Sequence, residues 1–314
     1  WGRVWQAEAE QSAARGDWSR AAAQAFLGHL PLSPYHERKA ALLDLLRRCH
    51  ARDRQERGGF RFEHVRLAGG RLAGYRETPE QGALPPVLLL PPLASTKEEL
   101  AVLADPLLAA GHPVLRLDLP GQGESPSPLT PTSERLLQEA LDEIGITPDV
   151  GCFVGGISLG ALYALRLGGV DGPRVRGVFG ISPPAIITPE QWARQEEVIW
   201  QYLDIYFATE TREETRRVSQ AITLDDVIPQ VACPVLLYHA SRDPISLPDK
   251  RERYRAALAH APLTDCVLDD IHGCAYHLRD TIGPRLVAWC ARITGAPREE
   301  SLPAPAKPTA SSSA

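Results

Sequence analysis

The sequence predicts an α/β protein whose core is a doubly wound, mostly parallel sheet. Short apolar runs such as Val87–Leu90 alternate with helical patterns along most of the chain. Strands that are apolar throughout are typical of parallel sheets, because helices cover both faces of such sheets. A Gly-x-Ser-x-Gly pattern at Gly156–Gly160 directly follows the apolar run Cys152–Val154, which predicts a strand, a sharp turn and a helix. A chain of 314 residues can form one such domain with an insertion.

The composition argues against several classes of protein. A net charge of −5, with acidic and basic residues interspersed, provides no basic surface for a nucleic acid. No apolar run is long enough to span a membrane, and the N-terminal residues lack the apolar segment of a secretory signal. The six cysteines have no Cys-x-x-Cys spacing, which favours a reducing, cytoplasmic location. The absence of methionine leaves open that residues precede Trp1.

Residues 1–57 are predicted to form an N-terminal helical arm ahead of the sheet. Asp17 is an expected N-cap, because its side chain can accept a hydrogen bond from the first turn of a helix that starts at Trp18. The pair Ser33-Pro34 is expected to open a second, longer helix. Two interpretations stay open: the arm is a lid over the active site, or it is an appendage that only packs against the core.

The core is predicted over residues 58–182 and 230–296. It begins with an antiparallel hairpin around Gly69-Gly70 and then alternates strands with helices. The predicted strands after the hairpin are Val87–Leu90, Pro113–Leu117, Cys152–Val154, Val175–Ile181, Pro234–His239 and Asp265–Leu268. The predicted core helices start near Thr96 and cover about Ser133–Ile144, Leu159–Leu165, Pro248–Leu258 and Leu286–Trp289.

Residues 183–229 interrupt this alternation and are predicted to form a helical cap over the carboxyl edge of the sheet. The cap is rich in aromatic residues, which could line an apolar pocket. The candidate pocket residues are Trp192, Trp200 and Tyr206. The alternative is that most of these rings form the core of the cap itself. Residues 297–314 are dominated by Pro, Ala and Ser and are predicted to be a disordered tail.

Ser158 is the candidate nucleophile. In the predicted turn the serine adopts a strained backbone conformation, and the glycines on either side avoid collisions with the neighbouring strand and helix. The helix that follows directs its free N–H groups towards the same point, so the Leu159 amide is one candidate oxyanion donor. The second donor is expected in the loop after Val87–Leu90, where Pro91 and Pro92 lack an N–H and Leu93 is the first candidate.

A serine hydroxyl needs a histidine to take its proton and a carboxylate to orient that histidine. Asp243 follows the strand Pro234–His239, and His272 follows the next predicted strand, so the chain order is Ser, Asp, His. His277 is a rival base, although we expect it to begin the last helix. Two further carboxylates, those of Asp269 and Asp270, are rivals for the orienting role. No metal-ligand spacing is visible, and no cofactor is expected.

Three segments resemble the α/β-hydrolases, and within them the branch that contains 2,6-dihydroxypseudooxynicotine hydrolase and the fungal polyketide chain-shortening hydrolases. Pro91–Glu99 is similar to the Gly-Gly-Leu-Asp-Ser-Thr-Lys-Glu-Glu motif of that branch, Asp118–Glu124 to Asp-Gly-Pro-Gly-Gln-Gly-Glu, and His272–Cys274 to His-x-Cys. The chain departs from these motifs at Pro91-Pro92, Ala94 and Leu119, so a different substrate is expected. We interpret Asp118–Glu124 as a structural turn.

The resemblance implies a serine enzyme that cleaves an ester, or a carbon–carbon bond next to a ketone, in a largely apolar, polyketide-like metabolite. The partner is then a small-molecule substrate, with no nucleic acid or membrane, and a homodimer is left open. One alternative is a lyase that eliminates an acyloxy group such as acetate, because some proteins of this fold do so in bacterial polyketide tailoring. The other is a binding module without catalysis, which has no need of Ser158, Asp243 and His272 together.

Overall fold

The computed structural model describes residues 1–82, 84–184, 192, 196–245 and 249–295. The predicted tail 297–314 and the predicted helix start at Pro248 lie outside the described residues. Of the predicted cap 183–229, the described part is 183–184, 192 and 196–229.

Eight strands form one sheet. They are β1 (Phe60–Leu67), β2 (Leu72–Pro79), β3 (Val87–Leu90), β4 (Val114–Leu117), β5 (Cys152–Ile157), β6 (Val175–Ile181), β7 (Val235–Ala240) and β8 (Leu263–Leu268). The spatial order is β1-β2-β4-β3-β5-β6-β7-β8, and only the β1–β2 and β2–β4 pairings are antiparallel. The predicted fold class is therefore confirmed. The carboxyl ends of β5, β6, β7 and β8 lie along one edge of the sheet.

The described helices of the arm are α1 (Gly2–Ala14), α2 (Trp18–His29) and α3 (Lys39–Arg57). Asp17 caps α2 as predicted, because its Oδ1 accepts a hydrogen bond from the Arg20 amide at 3.2 Å. The expected helix start at Ser33-Pro34 is wrong, since residues 33–38 form turns and α3 begins at Lys39. The Ser33 hydroxyl is instead used in a long-range hydrogen bond to Gln201 at 2.9 Å.

The remaining described helices alternate with the strands or follow them. They are α4 (Ala101–Ala109), α5 (Glu134–Glu143), α6 (Leu159–Val170), α7 (Glu197–Phe207), α8 (Arg212–Gln220), α9 (Lys250–Ala257) and α10 (Gly283–Thr294). Helices cover both faces of the sheet, and one apolar cluster lies on each face. The central strand β5 is buried along its whole length, as a strand covered on both faces must be.

The arm has an apolar core of its own and is also joined to the sheet through buried charges. The Arg54 guanidinium on α3 donates from Nε to Glu77 Oε1 at 2.7 Å, and Arg116 on β4 donates from Nε to Glu77 Oε2 at 2.8 Å. All three of these side chains are fully buried. One carboxylate therefore binds a guanidinium from the arm and another from the sheet.

A second set of contacts joins the arm to α7. The Lys39 ammonium donates to the Tyr202 hydroxyl at 2.6 Å and to the His29 carbonyl at 2.8 Å, and the Tyr202 hydroxyl donates to the Leu32 carbonyl at 2.8 Å. Burial lowers the pKa of Lys39 to about 8. The arm therefore touches both the sheet and the described part of the predicted cap. Whether it acts as a lid stays a hypothesis.

The described helices include none that combines the length and the apolar character needed to cross a lipid bilayer.

Candidate active site

Ser158 occupies the sharp turn between β5 and α6. Its backbone has φ 51° and ψ −114°, in the left-handed region that side chains rarely adopt. The Ser158 amide donates to the Ile181 carbonyl at the end of β6 at 2.9 Å, which fixes the turn against the neighbouring strand. A strained residue held this way lifts its side chain out of the strand. The local geometry is the one that the Gly-x-Ser-x-Gly pattern predicts.

Glycine is required at Gly156 and Gly160 because the carboxyl end of β3 passes directly beside the turn. A Cβ atom at either position would overlap the Leu90 carbonyl oxygen, which is backbone and cannot rotate away. This close approach also brings the start of α6 beside the loop that follows β3 and carries Leu93.

We expect Gly160→Ala to slow the reaction of Ser158 with a fluorophosphonate by about 100-fold, because a displacement of α6 by a fraction of an ångström misplaces the serine and the Leu159 amide together. The labelling rate is measured by mass spectrometry. Gly172→Ala is the matched control, since a Cβ there meets no atom within 4 Å. Equal labelling rates in the two variants would contradict the close-approach argument.

His272 and Asp243 lie together at the carboxyl ends of β8 and β7. His272 Nδ1 donates to Asp243 Oδ2 at 2.9 Å, and Asp243 Oδ1 accepts the Ile245 amide at 3.0 Å. The Asp243 side chain is 1% exposed. Burial by itself would raise the pKa of Asp243, but the His272 hydrogen bond and the charges of His272 and Lys250 hold it at about 2. Asp243 is therefore a carboxylate over the whole neutral range.

The loop that carries His272 is fastened beside the serine turn. The Gly273 amide donates to the Ser182 hydroxyl at 3.0 Å, and Ser182 directly follows Ile181, which accepts the Ser158 amide. The structure therefore places Ser158 and His272 on either side of the β6 terminus. The two side chains do not hydrogen-bond to each other here, although such bonds often tighten only when a substrate is bound.

The rival histidine and the rival carboxylates are placed elsewhere. His277 Nδ1 donates to Asp270 Oδ2 at 2.7 Å, and the same oxygen accepts the Tyr276 amide at 3.1 Å. Asp269 is exposed and pairs with Arg242 at 2.9 Å. His277 directly precedes a π-helical turn, Leu278–Ile282, that continues without a break into α10, so it stands at the start of the last helical segment as expected. His277 and Asp270 form a separate pair, away from Asp243.

Leu93 and Leu159 meet one requirement of oxyanion donors. No described residue accepts a hydrogen bond from either backbone amide. Leu159 is the first residue of α6, where amides have no partner within the helix. Leu93 is followed by Ala94, whose φ of 67° marks a tight turn just after Pro91-Pro92.

The three candidate pocket aromatics differ in their surroundings, although all are buried. Trp200 packs against Trp192 with ring centroids 6.3 Å apart, and the guanidinium of Arg212 lies 5.6 Å from the Trp200 ring. These contacts therefore belong to the internal packing of the predicted cap, residues 183–229. The Tyr206 carbonyl accepts the Leu129 amide at 2.6 Å. Burial raises the pKa of Tyr206 well above its ordinary value, and the Ala94 amide works in the opposite direction.

Two lysines whose roles were not predicted from the sequence contact residues of the motifs and of the candidate site. Lys97 is fully buried: its Nζ donates to Asp118 Oδ2 at 2.8 Å and to Glu124 Oε2 at 2.7 Å, while Asp118 Oδ1 accepts the Lys97 amide at 2.8 Å. This network joins the segments Pro91–Glu99 and Asp118–Glu124, and it gives the second segment the structural role expected of it. Lys250 contacts Asp243. Neither contact has a spacing signal. Lys97 lies 21 residues before Asp118, and Asp243, although only 7 residues before Lys250, lies outside the helix α9 that carries the lysine.

Within the ranges that the structure describes, no group of three or more His, Cys, Asp and Glu side chains is arranged to hold a metal ion. The polar groups that meet at the sheet edge are a hydroxyl, an imidazole, a carboxylate and free amides. These are the components of nucleophilic attack on a carbonyl carbon.

The fold and this constellation define the class of the protein. The profile of the Alpha/beta hydrolase family matches residues 87–308, which is more than half of the chain. The chain therefore belongs to the α/β-hydrolase family and is an enzyme of the hydrolase class, as the motifs predicted. A comparison with curated proteins found no significant match.

Several solved structures share the fold. AbyA5 is 22% identical with a TM-score of 0.77, covering 94% of this chain and 89% of its own. The 2,6-dihydroxy-pseudo-oxynicotine hydrolase is 23% identical with a TM-score of 0.75, covering 93% and 86%. Est1E from Butyrivibrio proteoclasticus with bound ferulic acid is 16% identical with a TM-score of 0.60, covering 74% and 99%. The high coverage of this chain by the first two means that the similarity extends into the N-terminal arm.

Proposed function

We propose that the protein is a serine hydrolase in which Ser158 is the nucleophile, His272 the general base and then acid, and Asp243 the residue that orients His272. The observation that carries this proposal is the strained turn at Ser158 beside a half-buried His272 that is hydrogen-bonded to the buried carboxylate of Asp243. A binding module would need neither the strain nor the buried carboxylate, both of which cost stability.

The proposed reaction has two halves. His272 Nε2 takes the proton of the Ser158 hydroxyl as Oγ attacks the substrate carbonyl carbon, and the resulting oxyanion is stabilised by the Leu93 and Leu159 amides. When the intermediate collapses, the leaving group departs with the proton from His272 and the acyl group stays on Ser158. Water then attacks the acyl-serine, again losing a proton to His272. As the bond between the acyl carbon and Ser158 Oγ breaks, His272 returns that proton to Oγ and the acid is released.

For the substrate, we propose an ester, or a carbon–carbon bond next to a ketone, in a medium-sized and largely apolar, polyketide-like metabolite. The support is the overall similarity to the 2,6-dihydroxy-pseudo-oxynicotine hydrolase and the apolar character of the loop Pro91–Ala94. Tyr206 is the strongest of the three candidate pocket residues, because its contacts extend beyond the predicted cap: its carbonyl accepts the Leu129 amide at 2.6 Å. Trp192 and Trp200 are weaker candidates, since the aromatic and cation contacts described for them are to other residues of the predicted cap.

The second candidate is elimination of an acyloxy group. The contacts between the arm and α7, above all Lys39 with Tyr202, hold the arm against the described part of the predicted cap, and Pro91-Pro92 makes the loop that carries Leu93 rigid. A cap held in this way would limit the access of water to Ser158, and exclusion of water favours elimination over hydrolysis. The unpartnered Leu93 and Leu159 amides favour an acyl-enzyme, and hydrolysis is therefore the leading proposal.

A fluorophosphonate probe tests the assignment of the nucleophile without knowledge of the substrate. We expect a single adduct on Ser158, because among the described serines it is the one that lies in a strained turn at a helix N-terminus with unpartnered amides beside it. The adduct is located by proteolysis and mass spectrometry. His272→Ala should greatly reduce the labelling, whereas His277→Ala should leave it nearly unchanged. Labelling of another serine, or equal effects of the two histidine variants, would overturn the assignment.

A further inference from the structure

A buried lysine contacts the carboxylate that orients His272. Lys250, near the start of α9, is 3% exposed, and its Nζ donates to Asp243 Oδ2 at 3.2 Å. The same oxygen accepts His272 Nδ1 at 2.9 Å, while Oδ1 is occupied by the Ile245 amide at 3.0 Å. One carboxylate oxygen is therefore shared between an imidazole and an ammonium group.

The other titratable groups near Lys250 offer it no charge partner. His239 on β7 has its pKa lowered to about 4, mainly by burial and then by Lys250, so it is neutral. Burial raises the pKa of Cys274 to about 11, so this thiol is protonated. Asp265 on β8 pairs with Arg251 at 2.7 Å. Among the described residues, Asp243 is the carboxylate to which Lys250 donates.

Charge balance determines the state of Lys250. Burial lowers the pKa of Lys250, and the Asp243 carboxylate opposes that effect. A buried ammonium without an anion would carry a large desolvation penalty, whereas a contact with a buried carboxylate offsets it. The pair Lys250–Asp243 is therefore an ammonium–carboxylate pair, and His272 interacts with a carboxylate whose charge is already partly compensated.

We propose that Lys250 is a positioning residue that weakens the hold of Asp243 on the His272 proton and thereby extends the activity of the enzyme to lower pH. The proposal depends on the proposed serine mechanism. With the ammonium in place, a proton on His272 gains less from Asp243, so His272 remains an unprotonated base further into the acidic range. Without the Lys250 ammonium, the full charge of the Asp243 carboxylate would stabilise the proton on His272. The activity would then be lost at a higher pH as the solution is made more acidic.

The test is the pH dependence of the second-order rate constant for fluorophosphonate labelling of Ser158, measured between about pH 5 and 9, where histidines titrate. We expect the acidic limb of this pH–rate profile, where labelling falls as the pH is lowered, to move to higher pH by about one unit in Lys250→Met. Lys250→Arg, which keeps the charge, should retain the parent profile. Lys250→Gln keeps a hydrogen-bond donor but loses the charge, and it should shift the limb in the same direction as Lys250→Met.

Arg253→Met is the matched control, because it removes one charge from the same helix at an exposed side chain that pairs with Asp249. Thermal unfolding identifies which variants are folded. An unshifted acidic limb in either folded neutral variant, or an equal shift in Arg253→Met, would overturn the role of Lys250. Failure of the parent protein to label at Ser158 would instead overturn the serine mechanism on which this role depends.

Discussion

Ser158→Ala is expected to lower turnover by ~10⁴ or more, because the proposed acyl-enzyme forms on the Ser158 hydroxyl. The measurement is turnover of an ester or ketone substrate in oxygen-18 water, with the label in the released acid determined by mass spectrometry. Hydrolysis of an acyl-serine places one solvent oxygen in the acid at every turnover. Direct loss of a carboxylate promoted by His272 alone places none there.

The matched control for this variant is Ser241→Ala. Ser241 follows β7 and its exposed hydroxyl donates to Asp269 at 3.2 Å, outside the His272–Asp243 pair. The Ser241→Ala variant should therefore turn over the substrate at the rate of the parent protein. Activity of Ser158→Ala within about tenfold of the parent, together with unlabelled acid, would refute covalent catalysis and support elimination by general base.

Glu77→Gln is expected to lower the free energy of unfolding by about 3–5 kcal/mol, because it removes the carboxylate that compensates the buried Arg116 guanidinium and leaves Arg54 with its contact to Asp105 alone. Gln keeps the shape of the side chain, so the loss reports the charge and not a cavity. Urea-induced unfolding, monitored by circular dichroism, measures the change.

The control for the Glu77 prediction is Glu139→Gln, at an exposed ion pair with Arg71 whose side chains are 45% and 47% exposed. A pair in this environment contributes about 0–1 kcal/mol. If Glu77→Gln and Glu139→Gln had the same small effect, the arm would not be held to the sheet by the buried charges, and the apolar contacts of α3 would have to account for its attachment.

The alternation of apolar strands and helices, together with the turn chemistry at Ser158, was sufficient to predict the sheet. Both depend on residues that are close in sequence, where spacing and glycine requirements act directly. The location of Ser158, Asp243 and His272 at one edge of the sheet was likewise predictable, because parallel strands bring their carboxyl ends to the same edge. The same argument favours His272 over His277 as the partner of Asp243, and the hydrogen bond between His272 and Asp243 is consistent with it.

The helix start at Ser33-Pro34 could not be predicted correctly, because local capping rules ignore distant partners. The Ser33 hydroxyl bonds with Gln201, which is 168 residues further along the chain. Lys250 was overlooked for a different reason: Asp243 is only 7 residues away, but it lies outside α9, so no helical spacing relates the two side chains. Buried charges are placed by tertiary contacts, and only the folded chain shows which carboxylate each of them meets.

The double attachment of the arm has a consequence for the order in which the chain folds. The Arg54–Glu77 contact spans 23 residues, whereas the Lys39–Tyr202 contact spans 163. During synthesis the arm can therefore dock on the first hairpin early, but the Lys39 ammonium stays in water until α7 has left the ribosome. Sequestration of that ammonium is therefore a late event, and the long loop closure it requires makes the contact between the arm and α7 a slower step of folding than the docking of the arm on the hairpin.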